Sequence, residues 1–243
     1  MKISVKKYIV TIVILLFLGF IFYFVNIFTG NPVSAYIASR KIQSYAAAIY
    51  PDQNLELSKA KYNFENNAYS SYACAKDSED TKFYIQYSHG KVSDDYQYEV
   101  ANHFTTYRRL SEEFDSMVTD IIEKEYPHKT TLIIGDLVGD TALLTPNEPL
   151  DLNNMPLELS LTVSILSDVR NEQEMAALLT EINQLMLKKK IAIDSYSLRL
   201  EEPIQEEEGK PGSGNNLYLE KFPAKNITTD QEALVSDIKK YIS

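Results

Sequence analysis

Residues 90–110, GKVSDDYQYEVANHFTTYRRL, gather two adjacent carboxylates (Asp94, Asp95), two adjacent guanidiniums (Arg108, Arg109), the imidazole of His103 and the phenols of Tyr96, Tyr98 and Tyr107. Groups of these types could move protons or hold an anion. Their spacing argues for a helix instead. Apolar positions recur at Tyr96, Val100, Phe104, Tyr107, Leu110, Phe114, Met117 and Ile121, at roughly the helical period of 3.6. Neighbours on a helix point about 100° apart, so Asp94 and Asp95 make a poor acid–base pair. Asp94 with Gln97 predicts a capping box, and both acids suit a helix N-terminus. Arg108 and Arg109 each have a glutamate four residues on, Glu112 and Glu113, the spacing of exposed ion pairs. A helix over 94–126 would be roughly 50 Å long, more than a small domain needs. A break or bend near 101–106 is therefore expected.

Other constellations fail on spacing. His89, His103 and His128 have no metal-binding separation, and no H-x-x-x-H or C-x-x-C occurs. Asp151, Asn153 and Met155 break a calcium loop at the third ligand; after Asp52, Asn54 and Glu56 no glycine follows. There is no G-x-S-x-G, P-loop or G-x-G-x-x-G, and Gly212-Ser213-Gly214 lies in a low-complexity loop. Cys74 is the single cysteine, so no intramolecular disulfide exists. It could act as a nucleophile with His89 or His103, but within a predicted strand it reads as a small buried hydrophobe. These readings predict no metal, no cofactor and no catalytic activity. Tyrosine stands apart, with 17 Tyr and no Trp. Tyr69, Tyr72, Tyr84 and Tyr87 are candidates for a binding face, since the ring offers area and a polar tip. The competing reading is cross-strand packing.

The elements that would position these groups follow from periodicity. Asn31-Pro32 starts a helix over 31–50, which Pro51 stops. Strand-like runs occupy 55–64, 69–76 and 82–88, separated by turn sequences. Further on come a β-branched run at 131–134 and a strand at 157–165 whose Leu157, Leu159, Leu161, Val163 and Ile165 alternate with polar residues. A helix capped by Asn171 with Glu174 comes next, then a strand over 191–201 with a bulge near Asp194. A flexible acidic loop over 201–216, a strand at 217–222 and a helix capped by Thr229 with Glu232 complete the chain. The expected architecture is α+β: α-β-β-β-α over 31–127, then β-β-α-β-β-α over 128–243. Each is a small antiparallel-sheet module with helices packed on it.

Ahead of both modules, 8–28 is a run interrupted only by Thr11, Gly19 and Asn26. It matches the roughly 20 residues that cross a bilayer core of about 30 Å. This predicts a transmembrane anchor within 1–30. Lys2, Lys6 and Lys7 precede the run, which places the N-terminus in the cytoplasm and the bulk of the chain outside, as a single-pass protein of the cell membrane. A cleaved signal peptide is the alternative, with Val33-Ser34-Ala35 as small residues near a cleavage point at Ala35. The chain carries a net charge of −10, and the part beyond the anchor is more acidic still. Such a body is a poor nucleic-acid binder.

The stretches GNPVSAYIASRKIQSYAAAIYP, YNFENNAYSSYACAKDSEDTKFYI and GKVSDDYQYEVANHFTTYRRLSEEF together resemble the YfjL-like family of bacterial membrane-anchored proteins. The Asn31-Pro32 helix start, Asp80-Thr81 between strands and the run ending in Arg108-Arg109-Leu110 carry the resemblance. It implies an N-terminal and a C-terminal domain on one anchor, and it carries no catalytic residues over. A helix wrapped by a three-stranded antiparallel sheet is also similar to cystatin-like and PepSY-like envelope modules, which implies a protein or peptide partner. The resulting expectation is a membrane-anchored extracytoplasmic interaction protein. The alternatives are an envelope hydrolase without a recognisable motif, or a cleaved secreted form.

Overall fold

The computed structural model describes residues 5–203 and 216–242. It divides into two units, Met1–Thr105 and Thr106–Ser243. The expected acidic loop over 201–216 falls mostly on 204–215, which lie outside the described residues.

The N-terminal unit opens with α1 (Val5–Thr29), whose Lys7–Asn26 segment is long and apolar enough to cross a membrane and is left unburied by the described residues. Gly30, at φ +74°, ends it. The Asn31 side chain then accepts hydrogen bonds from the Val33 and Ser34 N–H groups and starts α2 (Pro32–Ile49) as its sequence predicts. Only Ala38, Ile42 and Ala46 of α2 are buried, a narrow stripe at four-residue spacing. They pack on an antiparallel sheet of β1 (Leu55–Leu57), β2 (Lys61–Asn63), β3 (Ala68–Ala75), β4 (Ser78–Ser88) and β5 (Lys91–Asp94). Both β1 and β2 pair with β3, which pairs with β4, which pairs with β5.

Two details differ from the expected three strands. The run over 55–64 is split, because Ser58 leaves the ladder: its carbonyl takes the Ser71 hydroxyl at 2.6 Å, and its own hydroxyl takes the Tyr72 N–H at 2.9 Å. And β5 is added, because His89 (φ +50°) and Gly90 (φ +80°) are both left-handed and close a two-residue hairpin between Ser88 and Lys91. A single π-helical turn (Gln97–Ala101) follows, and His103, at φ +57°, breaks the chain before α3 (Phe104–Glu125). This is the break that helix length demanded.

In the C-terminal unit, β6 (Thr130–Val138), β7 (Glu158–Leu166), β8 (Ser195–Glu201) and β9 (Leu217–Pro223) form a four-stranded sheet in that order. The sheet is mixed and not wholly antiparallel: α4 (Glu172–Lys188) returns the chain so that β8 runs parallel to β7. Asn171 caps α4 by accepting the Glu174 N–H at 2.8 Å, as expected. The last helix, α5 (Gln231–Ile238), is capped by Asp230 where Thr229 was expected. One apolar core includes Phe114 and Val118 of α3, Leu161 and Val163 of β7, Leu179 and Ile182 of α4, Phe222 of β9 and Leu234 of α5.

The expected division after residue 127 thus moves ahead of most of α3. The helix belongs with β6 because Gly135 leaves room for it. A Cβ there would lie 2.6 Å from Val118 Cγ2 and 3.0 Å from the Asp115 Cα. The Asp115 carboxylate also accepts the Gly135 N–H at 2.8 Å, covering a donor on an edge strand.

Candidate functional site

The polar stretch at 90–110 does not assemble into one site. Asp94 ends β5, and its Oδ2 accepts the hydroxyls of Tyr45 (2.6 Å) and Tyr50 (2.9 Å). Its Oδ1 accepts the Tyr96 N–H at 3.1 Å, one residue short of the predicted capping-box partner. The bond to Asp94 is the main cause that pushes the Tyr45 phenol up to about 12; burial, then Asp94, pushes Tyr50 higher. Asp95 turns elsewhere, accepting the Tyr84 N–H at 2.6 Å, and burial raises its carboxyl above the usual carboxylate range. Arg109 reaches the Glu148 carbonyl at 2.8 Å and Glu113 at 3.9 Å in the C-terminal unit. The acids therefore fasten strands and helices. Sequence periodicity carried no sign of the Tyr45–Asp94–Tyr50 joint, since it depends on which face of α2 meets β5.

The four candidate tyrosines lie on β3 and β4 as directly opposed pairs, Tyr69 with Tyr87 and Tyr72 with Tyr84. Within each strand the two are three residues apart, and an odd separation puts them on opposite faces. They do not form a single face. Tyr69, 9% exposed, and Tyr87, half-buried, share the face of Ala73, Phe83 and Ile85, which packs under α2. Tyr72 and Tyr84 are on the outer face, 38% and 42% exposed, with ring centroids 4.2 Å apart. The Tyr84 hydroxyl donates to that of Tyr72, a bond that, ahead of burial, pushes the Tyr84 phenol up to about 12. The Lys82 ammonium lies 4.6 Å from the Tyr72 ring centre. Tyr72, Tyr84 and Lys82 thus remain as an open aromatic and cationic patch.

Neither candidate nucleophile–base pair is brought together among the described residues. Cys74 Sγ donates to the Ser78 carbonyl at 3.1 Å within the β3–β4 turn. His89 shares a 2.7 Å contact with Ser88, His128 lies 2.9 Å from Glu181, and His103 Nδ1 is buried with no hydrogen-bond partner. No group of three or more metal-ligating side chains occurs among the described residues.

In the C-terminal unit a cleft of about 610 Å³ opens where β7 and β8 begin and β6 and β9 end. Glu158, Ser160, Asp194, Ser195, Lys221 and Lys225 contribute its polar lining. Asp194 is committed to the fold, accepting the Leu159 N–H at 2.8 Å. Lys221 sits at φ +47° where β9 bulges, and its N–H donates to Ser197. The two serine hydroxyls are 3.3 Å apart, and no histidine lines the cleft. This arrangement can hold a small polar ligand of mixed charge but carries no histidine base for hydroxyl attack. Its residues come from four strand ends far apart in the chain, which no local pattern could have joined.

Two family profiles match the chain: the YfjL-like N-terminal domain over residues 5–100 and the YfjL-like C-terminal domain over residues 113–239. No curated protein and no solved structure matches it.

Proposed function

The chain belongs to the YfjL-like family, and from that premise we propose that it is a membrane-anchored interaction protein of the bacterial cell envelope. Its body stands outside the cytoplasm and binds an envelope protein or peptide. The observation that carries the reading is α1. Its Lys7–Asn26 segment is apolar and uncovered along its whole length, a surface that water does not tolerate and a bilayer core accepts. The lysines ahead of it, Lys2, Lys6 and Lys7, favour a cytoplasmic N-terminus. The open Tyr72–Tyr84 pair, with Lys82 over the Tyr72 ring, is the surface offered to a partner, since tyrosine is among the usual anchors of a protein interface.

The test is a C-terminal fusion to a reporter that matures only outside the cytoplasm, followed by fractionation. Active reporter that sediments with membranes is the expected result. Activity released into the medium would replace the anchored protein by a secreted one, and a silent fusion would put the body in the cytosol and end the proposal. With the topology established, a photo-crosslinking residue at position 72 is expected to capture a discrete partner that the same residue at Asp77 does not.

A further inference from the structure

The end of the anchor is joined to the N-terminal unit without a spacer. The 20 residues of Lys7–Asn26 at 1.5 Å each cover about 30 Å, a full hydrocarbon core, so 28–31 fall in the headgroup layer. There the chain is pinned to the sheet. The Asn31 N–H donates to the Tyr69 hydroxyl at 2.9 Å, and that hydroxyl lies 3.2 Å from the Asn31 carbonyl. Gly30 is so close to β2 that a Cβ would sit 2.7 Å from the Tyr62 side chain. The Phe28 ring meets the Phe64 ring edge-on, centroids 5.7 Å apart. The surface around this joint is held at one fixed depth relative to the span.

That surface is apolar where a water-facing surface would be polar. Val33 and Tyr36, on the first turns of α2, are 66% and 65% exposed, Ile37 is 45% exposed, and Phe64, at the tip of the β2–β3 turn, is 55% exposed. The buried stripe of α2 is Ala38, Ile42 and Ala46, so these residues serve no core. Ile37 lies only about 9 Å along the helix from Asn31. The same segments carry the exposed cations Arg40 and Lys41 on α2 and Lys61 on β2, against one exposed acid, Glu65, beside Phe64. Aromatic and aliphatic side chains at the boundary with basic residues just beyond are what the interface of an anionic bilayer selects. In a chain of net charge −10, cations gathered beside the anchor oppose the overall balance and match lipid phosphates.

We propose that Val33, Tyr36, Ile37 and Phe64 form a membrane-interface seat, inserted at headgroup depth and flanked by Arg40, Lys41 and Lys61 against lipid phosphates, which fixes the N-terminal unit against the bilayer. The inference rests on α1 spanning the membrane. The seat makes α1 more than a tether: it sets the orientation in which the sheet is presented.

The test uses the full chain with Cys74→Ser as a background without cysteine. Single changes Ile14→Cys, Tyr36→Cys, Phe64→Cys and Asp77→Cys are each labelled with an environment-sensitive fluorophore. All four positions are exposed, so none of the changes opens a cavity in a core. Asp77 lies beyond the far end of β3 from Phe64, about 26 Å away at 3.3 Å per residue. The proteins are reconstituted in phosphatidylcholine–phosphatidylglycerol vesicles and quenched by brominated lipids or by aqueous iodide. Expected are quenching at 14 by deeply brominated lipid, at 36 and 64 by shallow brominated lipid with at least a several-fold reduced response to iodide, and at 77 by iodide alone. Lipid contact at 14 with free iodide access at 36 and 64 would overturn the seat and leave the anchor standing. Positions 36 and 64 shielded from both quenchers would mean that a second copy or a partner protein covers them, and would also overturn it. No lipid contact at 14 would remove the anchor and the seat together.

Discussion

In the C-terminal unit, α3, α4 and α5 bring Phe114, Val118, Leu179, Ile182 and Leu234 onto one face of a four-stranded sheet, where they meet Leu161, Val163 and Phe222. In the N-terminal unit, the buried cluster is Ile42, Ala46, Ala73, Phe83, Ile85 and Val100, and the partly buried layer around it includes Tyr45, Tyr50, Tyr87 and Tyr96. Three of those phenols converge by ring stacking or hydrogen bonding near Asp94. One unit is held by a large apolar core, the other by a thin apolar centre and the two hydroxyl–carboxylate bonds that Tyr45 and Tyr50 make to Asp94. Hydrophobic burial is non-directional and scales with area, whereas each hydrogen bond adds a modest net amount but fixes geometry. The C-terminal unit therefore draws mainly on apolar area, and the N-terminal unit more on contacts that fix geometry.

The largest effect that can break this contrast is Phe114→Ala. Phe114 is fully buried, and removal of such a ring costs about 3–5 kcal/mol. Hydrogen exchange read on peptides across each unit should show accelerated exchange through β6 to β9 and little change in β1 to β5. Equal acceleration in both units would mean they unfold as one body and that the contrast is illusory. Next is Gly135→Ala, where the new methyl would press on Val118 and the Asp115 backbone. Overpacking of this kind costs about 1–3 kcal/mol, and the β6 amides should exchange fastest. Unchanged exchange at β6 would mean α3 can lift away, and that Gly135 does not set the approach.

In the N-terminal unit the corresponding change is Asp94→Ala, which strands the Tyr45 and Tyr50 hydroxyls and frees the Tyr96 N–H. Loss of an acceptor costs about 1–3 kcal/mol for a buried donor, and the half-exposed setting of Tyr45 and Tyr50 puts the value near the lower end. Exchange should rise in β5 and α2 while β7 stays protected. If α2 keeps its protection, the apolar stripe alone holds it and the joint at Asp94 is incidental.

How much of this was legible before the structure depends on whether the signal is local. The alternation of Leu157 to Ile165 and the Asn171 cap are local, and β7 and α4 stand where they were expected. So is the break near His103, because an unbroken helix would have been too long. What was not legible is pairing. The apolar stripe read at Leu110, Phe114, Met117 and Ile121 announces a buried face, but beyond Phe114 the residues that are buried are Val118 and Ile122 while Met117 is exposed, and the stripe does not say that the C-terminal sheet covers it. The four residues of β5 make a strand only because β4 is beside them. The tyrosines are a different case. Their three-residue separations already placed Tyr69 opposite Tyr72 and Tyr84 opposite Tyr87 on the two faces, and counting by twos along each strand would have split the candidate face from sequence alone.

The smallest effect is the most specific to the contrast, and it is read from pH. Tyr45 has its phenol raised from 10.0 to about 12, chiefly by donating to Asp94. Folding therefore favours the neutral phenol. Its contribution to stability is complete below about pH 10, where the phenol is neutral folded or unfolded, and is lost as pH rises toward 12. Tyr50, raised by burial and by the same carboxylate, adds to the loss in the same direction. In the C-terminal unit the Tyr196 phenol is also raised, but by burial alone, with its hydroxyl on Asn183. Both units should weaken in alkali, for different reasons. Asp94→Ala separates them: in NMR of ring-labelled tyrosine it should bring the Tyr45 titration down toward 10.0 and leave Tyr196 where it was. A Tyr45 midpoint that does not move would mean that burial, and not the carboxylate, governs the phenols of both units. The N-terminal unit would then be a smaller version of the C-terminal one rather than a different kind of construction.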